Sequence, residues 1–241
     1  MFSEKLPFTL IIPVYNCPSF IEETVIQVKR GLEEKIQAYE VIFVDDGSKD
    51  ETKKILEKLI QGEKKFKLIS YPKNQGKGFA VKKGILSASG EIIFFTDADL
   101  PFGINPILEG YELIKKENCD LILGQRSSNS WQGWKRKLAS RIFSFLVNKL
   151  FSLGIFDTQC GLKGFKREVA KKIFEKSKIK RFAFDVEILH LAKKHNFSIK
   201  IFPVKTVSFS SFSTVSLFPH SLKMLFDIIV IKLNSLLGKY R

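Results

Sequence analysis

Along the first half of the chain, short apolar runs alternate with charged segments in which apolar residues recur every three or four positions. Phe8–Val14, Glu40–Asp45, Phe66–Tyr71, Glu91–Thr96 and Asp120–Gly124 are rich in Ile, Val and Phe and stop at turn residues, the pattern of buried strands. Between them, sets such as Thr52, Ile55, Leu56, Leu59 and Ile60 fall on one helical face. This βαβα order predicts an α/β domain, a mostly parallel sheet with flanking helices on both faces. Right-handed crossovers bring the carboxyl ends of such strands to one edge, where ligands bind. Functional residues are therefore expected just after strands.

After Gly124 the rhythm changes. Trp131–Phe156 reads as a basic, aromatic-rich amphipathic helix, with Ile142, Phe145, Leu146, Leu150 and Leu153 at helical spacing. A loop is expected over Asp157–Gly164, helices near Arg167–Lys176 and Phe184–His195, and a strand over Ser198–Val204. In the tail, Leu222, Leu225, Phe226, Ile229, Leu233, Leu236 and Leu237 share one helical face, with Lys223, Asp227 and Asn234 opposite. Such a helix either docks on the domain's own core or lies in a lipid interface. No repeat or linker interrupts the pattern. Residues 1–205 are expected to form one domain with halves 1–128 and 129–205, and 206–241 an amphipathic appendage.

Composition narrows the class. With 241 residues, 44% hydrophobic and 27% charged, the chain can bury a core without disulfides, and intrinsic disorder is excluded. Cys17, Cys119 and Cys160 are too scattered for a disulfide framework or a thiolate zinc site, and three histidines do not suggest a His-built metal site. These counts suit a reducing, cytoplasmic compartment. Glu4 and Lys5 precede only a short apolar run, so no signal peptide is expected. Nor does any uncharged apolar stretch reach the roughly 18 residues needed to span a bilayer.

The net charge of +15 is unevenly placed. Residues 1–128 hold 18 Lys+Arg against 19 Asp+Glu, whereas 129–205 hold 18 against 5 and 206–241 hold 4 against 1. A basic block of this kind fits a polyanionic partner: nucleic acid, an acidic bilayer or a phosphorylated substrate. Its plainer reading is a solubilising surface.

The candidate chemistry lies where the sheet predicts it. The first strand ends in Pro13-Val14-Tyr15-Asn16 and the second in Val44-Asp45-Asp46-Gly47-Ser48. The carboxylates of Asp45 and Asp46 can accept hydrogen bonds from a base or ribose, or simply cap a turn. Strand four ends in Thr96-Asp97-Ala98-Asp99; two carboxylates two residues apart offer hard oxygen ligands to Mg²⁺ or Mn²⁺, with substrate phosphates completing the shell. Asn74-Gln75-Gly76-Lys77-Gly78 precedes a helix but lacks the Gly-Lys-Ser/Thr ending of a P-loop, and no dinucleotide glycine fingerprint follows the first strand. Nucleotide hydrolysis of the P-loop type and Rossmann dehydrogenation are both set aside.

Together these four segments resemble, in order and spacing, the inverting GT-A glycosyltransferases of family 2. Gly124-Gln125-Arg126, Asp157-Thr158-Gln159-Cys160-Gly161-Leu162-Lys163 and Arg181-Phe182-Ala183-Phe184-Asp185-Val186-Glu187 are similar to the dolichyl-phosphate β-glucosyltransferase branch, beside the polyprenol-phosphate mannosyltransferases. The resemblance covers roughly residues 8–205. It implies a nucleotide-sugar donor held by Pro13, Tyr15, Asn16, Asp45, Asp46, Lys77, Asp97, Ala98, Asp99 and Arg126, with Asp97 and Asp99 on the metal and diphosphate. Pro101 stands where the related mannosyltransferases often carry Gln, which leans away from a mannose donor, and the resemblance over Asp157–Lys163 and Arg181–Glu187 implies UDP-glucose. The chain also lacks the N-terminal membrane helix of the eukaryotic glucosyltransferases, so a different, peripheral anchoring on the cytoplasmic membrane face is expected. The tail helix and the aromatic set Trp131, Trp134, Phe143 and Phe145 are the candidates for it.

A polyprenyl phosphate acceptor suits the basic half, because a phosphomonoester is mostly dianionic at neutral pH and must be brought beside a diphosphate. Arg126, Arg136, Arg141, Lys163 and Arg181 are candidates for that clamp. Asp157 or Asp185 could orient the acceptor or take a residual proton, with Asp157 favoured near the reacting centre. Cys160 is expected to pack, since an inverting displacement needs no covalent intermediate. The alternatives are the same fold using GDP-mannose, or a glycolipid or polysaccharide acceptor. A non-catalytic module binding anionic lipid or nucleic acid is a further rival. The Asp97/Asp99 pair argues against that last class, since it repels phosphate unless a metal intervenes; no nucleic-acid partner is expected.

Overall fold

The computed structural model describes residues 6–127, 134–207 and 217–240, with side chains except over 134–140 and 217–222. In chain order the elements are β1 (Phe8–Val14), α1 (Ile21–Glu33), β2 (Tyr39–Asp45), α2 (Thr52–Leu59), β3 (Phe66–Ser70), α3 (Lys77–Ser87), β4 (Ile92–Phe95) and α4 (Asn105–Glu117). The second half adds β5 (Leu121–Arg126), α5 (Trp134–Phe151), β6 (Lys163–Lys166), α6 (Arg167–Lys176), α7 (Phe184–Lys194), β7 (Ile199–Val204) and α8 (Leu217–Leu236).

The seven strands form one sheet in the order β3-β2-β1-β4-β6-β5-β7. All neighbours are parallel except β6, which runs antiparallel between β4 and β5. Every residue of β2 is buried, as expected of a strand covered on both faces. Val14 lies opposite Asp45, and Asp45 opposite Ser70, so β1, β2 and β3 stop at one edge. The ends of β4 and β5 reach that edge as well, because both pair with the start of β6: Phe95 and Leu123 each face Lys163.

Strand β6 departs from the loop expected over Asp157–Gly164. Its sequence, Lys-Gly-Phe-Lys, has a single large apolar residue and no run of β-formers, so nothing in its periodicity marks a strand. Its place is fixed by packing: a Cβ on Gly164 would stand 2.2 Å from the Phe94 ring, so only glycine lets β6 lie against β4. Phe165 stacks on Phe95 at 6.1 Å, which joins the strand to the core. Reversing direction here has a functional consequence. It delivers the 157–163 loop to the edge where the parallel strands end.

Helices α5 and α8 meet each other, and α8 also meets α7. The tail helix docks through Ile228 and Ile231, with Asn234 on the buried side rather than on the polar face. The apolar stripe read from the sequence is the outward one: Phe226 is 65%, Ile229 54% and Leu236 72% exposed. Phe145 and Phe156 are exposed near α5 in the same way, while Phe143 is half-buried. Trp131 and the side chains of Trp134, Arg136 and Leu222 lie outside the described residues. No helix among those described is long and apolar enough to cross a membrane.

Candidate active site at the carboxyl edge of the sheet

A cleft of about 280 Å³ opens at this edge, lined among others by Pro13, Tyr15, Asp46, Lys77, Asp97 and Arg181. Five of these were read as donor-side residues and Arg181 as an acceptor ligand. A roomier depression of about 660 Å³ lies elsewhere, against Glu91, Asp120, Lys166 and Arg167. It gathers none of the residues singled out in the sequence, and Lys166 is paired there with Asp120 at 3.6 Å.

Asp46 organises one wall of the cleft. One carboxylate oxygen accepts from the Gln75 backbone N–H at 2.7 Å; the other accepts from Gly76 N–H at 2.8 Å and from the Asn74 side-chain amide at 2.9 Å. These bonds tie the turn after β2 to the loop before α3 and so set where Lys77 begins its helix. Asp45 and Asn16 stand one step back from the cleft. Asp45 accepts from Ser48 N–H and the Ser70 hydroxyl, while Asn16 donates its N–H to Ser48 Oγ and accepts from Lys49 N–H. Their bonds are spent within the loops, so both residues shape the site from outside it.

The turn carrying Asp97 and Asp99 is strained. Leu100 holds φ at 42°, a left-handed conformation uncommon for a non-glycine residue, and its side chain is buried. Thr24 of α1 donates its hydroxyl to the Ala98 carbonyl at 2.6 Å, which anchors the turn from below. Asp97 keeps a third of its side chain exposed and pairs with Lys77. Burial pushes the Asp97 carboxyl up, but Lys77, and then Lys163 and Arg126, outweigh it and hold it below the usual carboxylate range. Burial likewise pulls Lys77 down, and Asp97, Asp185 and Asp99 more than offset it. Gly161 closes over this pair: a Cβ there would stand 2.0 Å from an Asp97 oxygen.

Two further ion pairs back the cleft from the second half. Arg126 grips Asp157 through Nε at 2.8 Å and a terminal nitrogen at 2.7 Å, and its backbone N–H adds a third bond. Burial raises the Asp157 carboxyl, but Arg126 prevails and lowers it. Lys163 is fully buried and donates to Asp185 and to the Cys160 carbonyl, both at 2.6 Å. Here burial dominates, and the Asp185 carboxyl stands above its ordinary range despite Lys163 and Lys77. Both carboxylates read as acceptor-side groups are thus held in ion pairs. Lys163, read as a phosphate ligand, has its ammonium turned inward, and Arg126 spends its fork on Asp157.

Of the remaining acceptor candidates, Arg181 is exposed at the cleft wall, and Arg141 is exposed on α5 away from the cleft lining. Cys160 is buried, and burial pushes its thiol up to about 11, so it packs. Leu100 and Gly161 shape the Asp97 turn without having been singled out. Gly161 and Glu187 sit inside quoted motifs, but only the fold shows what each touches.

Among the described residues, no group of three or more His, Cys, Asp or Glu side chains is placed to hold a metal. Asp97 and Asp99 supply hard oxygens only, a donor set that suits Mg²⁺ or Mn²⁺ with substrate oxygens filling the rest.

Comparison with known proteins identifies the family and the fold. The Glycosyl transferase family 2 pattern matches residues 9–174. A dolichyl-phosphate β-glucosyltransferase of Dictyostelium discoideum is 34% identical over 254 residues, covering 99% of this chain and 77% of the relative. The Homo sapiens protein of the same name is 34% identical over 250 residues, covering 97% and 77%. Among solved structures, glucosyl-3-phosphoglycerate synthase of Mycobacterium tuberculosis, crystallised with Mn²⁺, UDP-glucose and phosphoglyceric acid, aligns with a TM-score of 0.66 at 17% identity, over 94% of this chain and 79% of that one. S. aureus TarS with UDP-GlcNAc aligns at a TM-score of 0.59 and 18% identity, over 95% and 67%. The structures establish the fold, GT-A, and the sequence pattern establishes the family: the chain belongs to glycosyl transferase family 2.

Proposed function

We propose that this enzyme moves glucose from UDP-glucose to a polyprenyl phosphate of the dolichyl type, with inversion, at the cytoplasmic face of a membrane. The observation that carries the reading is the meeting on one cleft of Asp46, Lys77 and Asp97 from the acidic half with Arg181 from the basic half. The relatives named as dolichyl-phosphate β-glucosyltransferases, matching nearly the whole chain, support the choice of sugar and acceptor.

In this reading Pro13 and Tyr15 flank the nucleoside, and Lys77 turns from Asp97 toward the diphosphate. A divalent cation held by Asp97 and Asp99 would neutralise charge developing on the departing diphosphate. Arg181 steadies the lipid phosphate, one of whose oxygens attacks the anomeric carbon opposite the diphosphate. The new carbon–oxygen bond forms as the bond to the β-phosphate breaks, and UDP leaves with the electron pair. A phosphomonoester with a second pKa of about 6 is already dianionic at neutral pH, so no general base is required. Asp157 then serves to hold Arg126, and Asp185 to hold Lys163.

The outward stripe of α8, with Phe145 and Phe156 near α5, supports seating on a lipid surface. Lys149 and Lys223 are exposed on the same two helices to meet anionic headgroups.

The test is a donor and acceptor panel: UDP-glucose and GDP-mannose, each against polyprenyl phosphate and a free oligosaccharide, with mass-spectrometric readout of the lipid product. Glucosyl-phosphoryl-polyprenol from UDP-glucose is expected. Transfer only from GDP-mannose, or only to the oligosaccharide, would overturn the assignment.

A further inference from the structure

Glu187 takes no part in the chemistry above, yet it is fully buried in the first turn of α7. One of its carboxylate oxygens accepts from Lys178 N–H at 2.9 Å and from the Tyr240 hydroxyl at 2.5 Å; the other accepts from Ile179 N–H at 2.9 Å. Tyr240, just beyond α8, is itself fully buried. A carboxylate is costly to bury, and an apolar side chain of similar volume would fill the space with less penalty. What the charge provides is therefore its three donors: two amides of one loop and one tail hydroxyl.

That loop leads directly to Arg181. On its other side it is fastened to the cleft wall that Asp46 organises, since the Lys180 carbonyl accepts from Phe79 N–H at 3.0 Å and the Lys180 ammonium reaches the Gln75 side chain at 3.3 Å. Helix α8 touches the acceptor half at a second point, where Ser235 Oγ lies 2.8 Å from His190 Nε2 of α7. Asp227 of α8 is also within electrostatic range of Arg181. The segment 177–181 is thus held between the start of α3 and the end of the chain's last helix.

We propose that Glu187 is a positioning residue: it fixes the Ser177–Arg181 segment so that Arg181 lines the cleft, and through Tyr240 it makes that position depend on the seating of α8. The proposal rests on the reading of Arg181 as an acceptor-phosphate ligand. It joins the helix offered to the lipid surface to the group offered to the lipid's phosphate.

Tyr240→Phe removes the tail bond and leaves both loop amides their acceptor; Glu187→Gln leaves at least one amide without one. Each variant is compared with wild type by hydrogen exchange at the Lys178 and Ile179 amides, by thermal unfolding, and by kinetics at varied polyprenyl phosphate. Loss of one charge-assisted bond predicts about tenfold faster exchange at those two amides and about a tenfold higher acceptor KM, with kcat within about twofold. Glu187→Gln should exceed Tyr240→Phe. Unchanged local exchange in Tyr240→Phe, or a lowered unfolding temperature with uniform exchange and unchanged acceptor KM in both variants, would overturn the proposal. A wild-type chain that makes no glycosylated polyprenyl phosphate would remove the acceptor reading instead. The coupling from tail to loop would then stand or fall on the exchange rates alone.

Discussion

Replacing Lys163 by Met isolates the energetics of the most deeply buried charge in the site. Met keeps the length of the stem and its packing beside the Phe95 ring, 5.5 Å from the ammonium, and removes only the charge. Lys163 is 0% exposed and the Asp185 side chain 5%, so water cannot replace the lost partner. Removing one member of such a pair costs about 3–5 kcal/mol, a large share of the roughly 5–15 kcal/mol that a domain possesses. The pH dependence has a definite sign. Asp185 already sits above its ordinary pKa through burial, and losing Lys163 raises it further. A carboxyl whose folded-state pKa is raised costs stability as the pH climbs from its unfolded value to its folded one, and the loss is complete above the latter, so the deficit should be larger at about pH 8 than at about pH 5. The double variant Lys163→Met/Asp185→Leu replaces both charges by apolar groups and should recover to within about 1 kcal/mol of wild type. Urea unfolding at the two pH values measures all of this, provided the slopes match. A single variant within about 1 kcal/mol of wild type would refute the reasoning, as would a double variant whose loss equals the sum of the single losses.

Gly161→Ala should displace Asp97, since the new methyl would stand 2.0 Å from its oxygen; turnover is expected to fall about a hundredfold while the unfolding midpoint barely moves. Asp99→Asn should cut turnover by orders of magnitude with the fold intact, and wild-type activity should vanish in excess chelator; activity persisting in either case argues against a metal at this pair. His190 is held down to about 4 by burial, with Lys194, Lys232 and Lys193 adding to it, so the unfolded chain binds a proton that the folded chain resists. Urea midpoints should therefore fall as the pH drops from about 6.5 toward 4, and His190→Gln should flatten that slope.

The parallel half of the fold was legible because each strand there is a long apolar run bounded by turns. β1 spans the residues its pattern predicts, and β2, β3 and β4 differ only at their ends. The gathering of Pro13, Tyr15, Asp46 and Asp97 on one cleft followed, because strand ends in a parallel sheet share an edge. The second half was less legible for a physical reason. β6 is short and polar in sequence and owes its existence to Gly164 clearing Phe94, a long-range contact that leaves no periodic trace. Without β6, the 157–163 loop could be named but not placed, and the partners of Lys163 and Arg126 stayed hidden. The motifs show which residues carry charge, but pairing is a property of three dimensions. Lys163 looks like a phosphate ligand in one dimension and is a buried counter-ion in three. The tail shows the converse: its apolar stripe was plain, but its docking face runs through Asn234 and Tyr240, whose burial depends on α7.

These pairings change what the basic half means. Lys77–Asp97, Arg126–Asp157 and Lys163–Asp185 place three cations against three carboxylates around the cleft. The pairs form one electrostatic cluster, since Lys163 and Arg126 also help to lower Asp97, and Lys77 partly opposes the burial that raises Asp185. The cleft itself is therefore close to neutral in a chain of net charge +15. Most of the basic excess lies elsewhere. A nucleotide diphosphate and a dianionic lipid phosphate would together bring more negative charge than Arg181 alone can offset. Lys77 can help only by leaving Asp97, which restores a carboxylate's charge to the site. The balance closes if Asp97 gains a cation as Lys77 departs, and a divalent ion arriving with the diphosphate meets that condition. If the proposed function holds, a preformed neutral network would favour joint entry of metal and donor over entry of either alone. Under the proposed function, Arg181, which lines the cleft outside the three pairs, is the group whose placement would govern the acceptor.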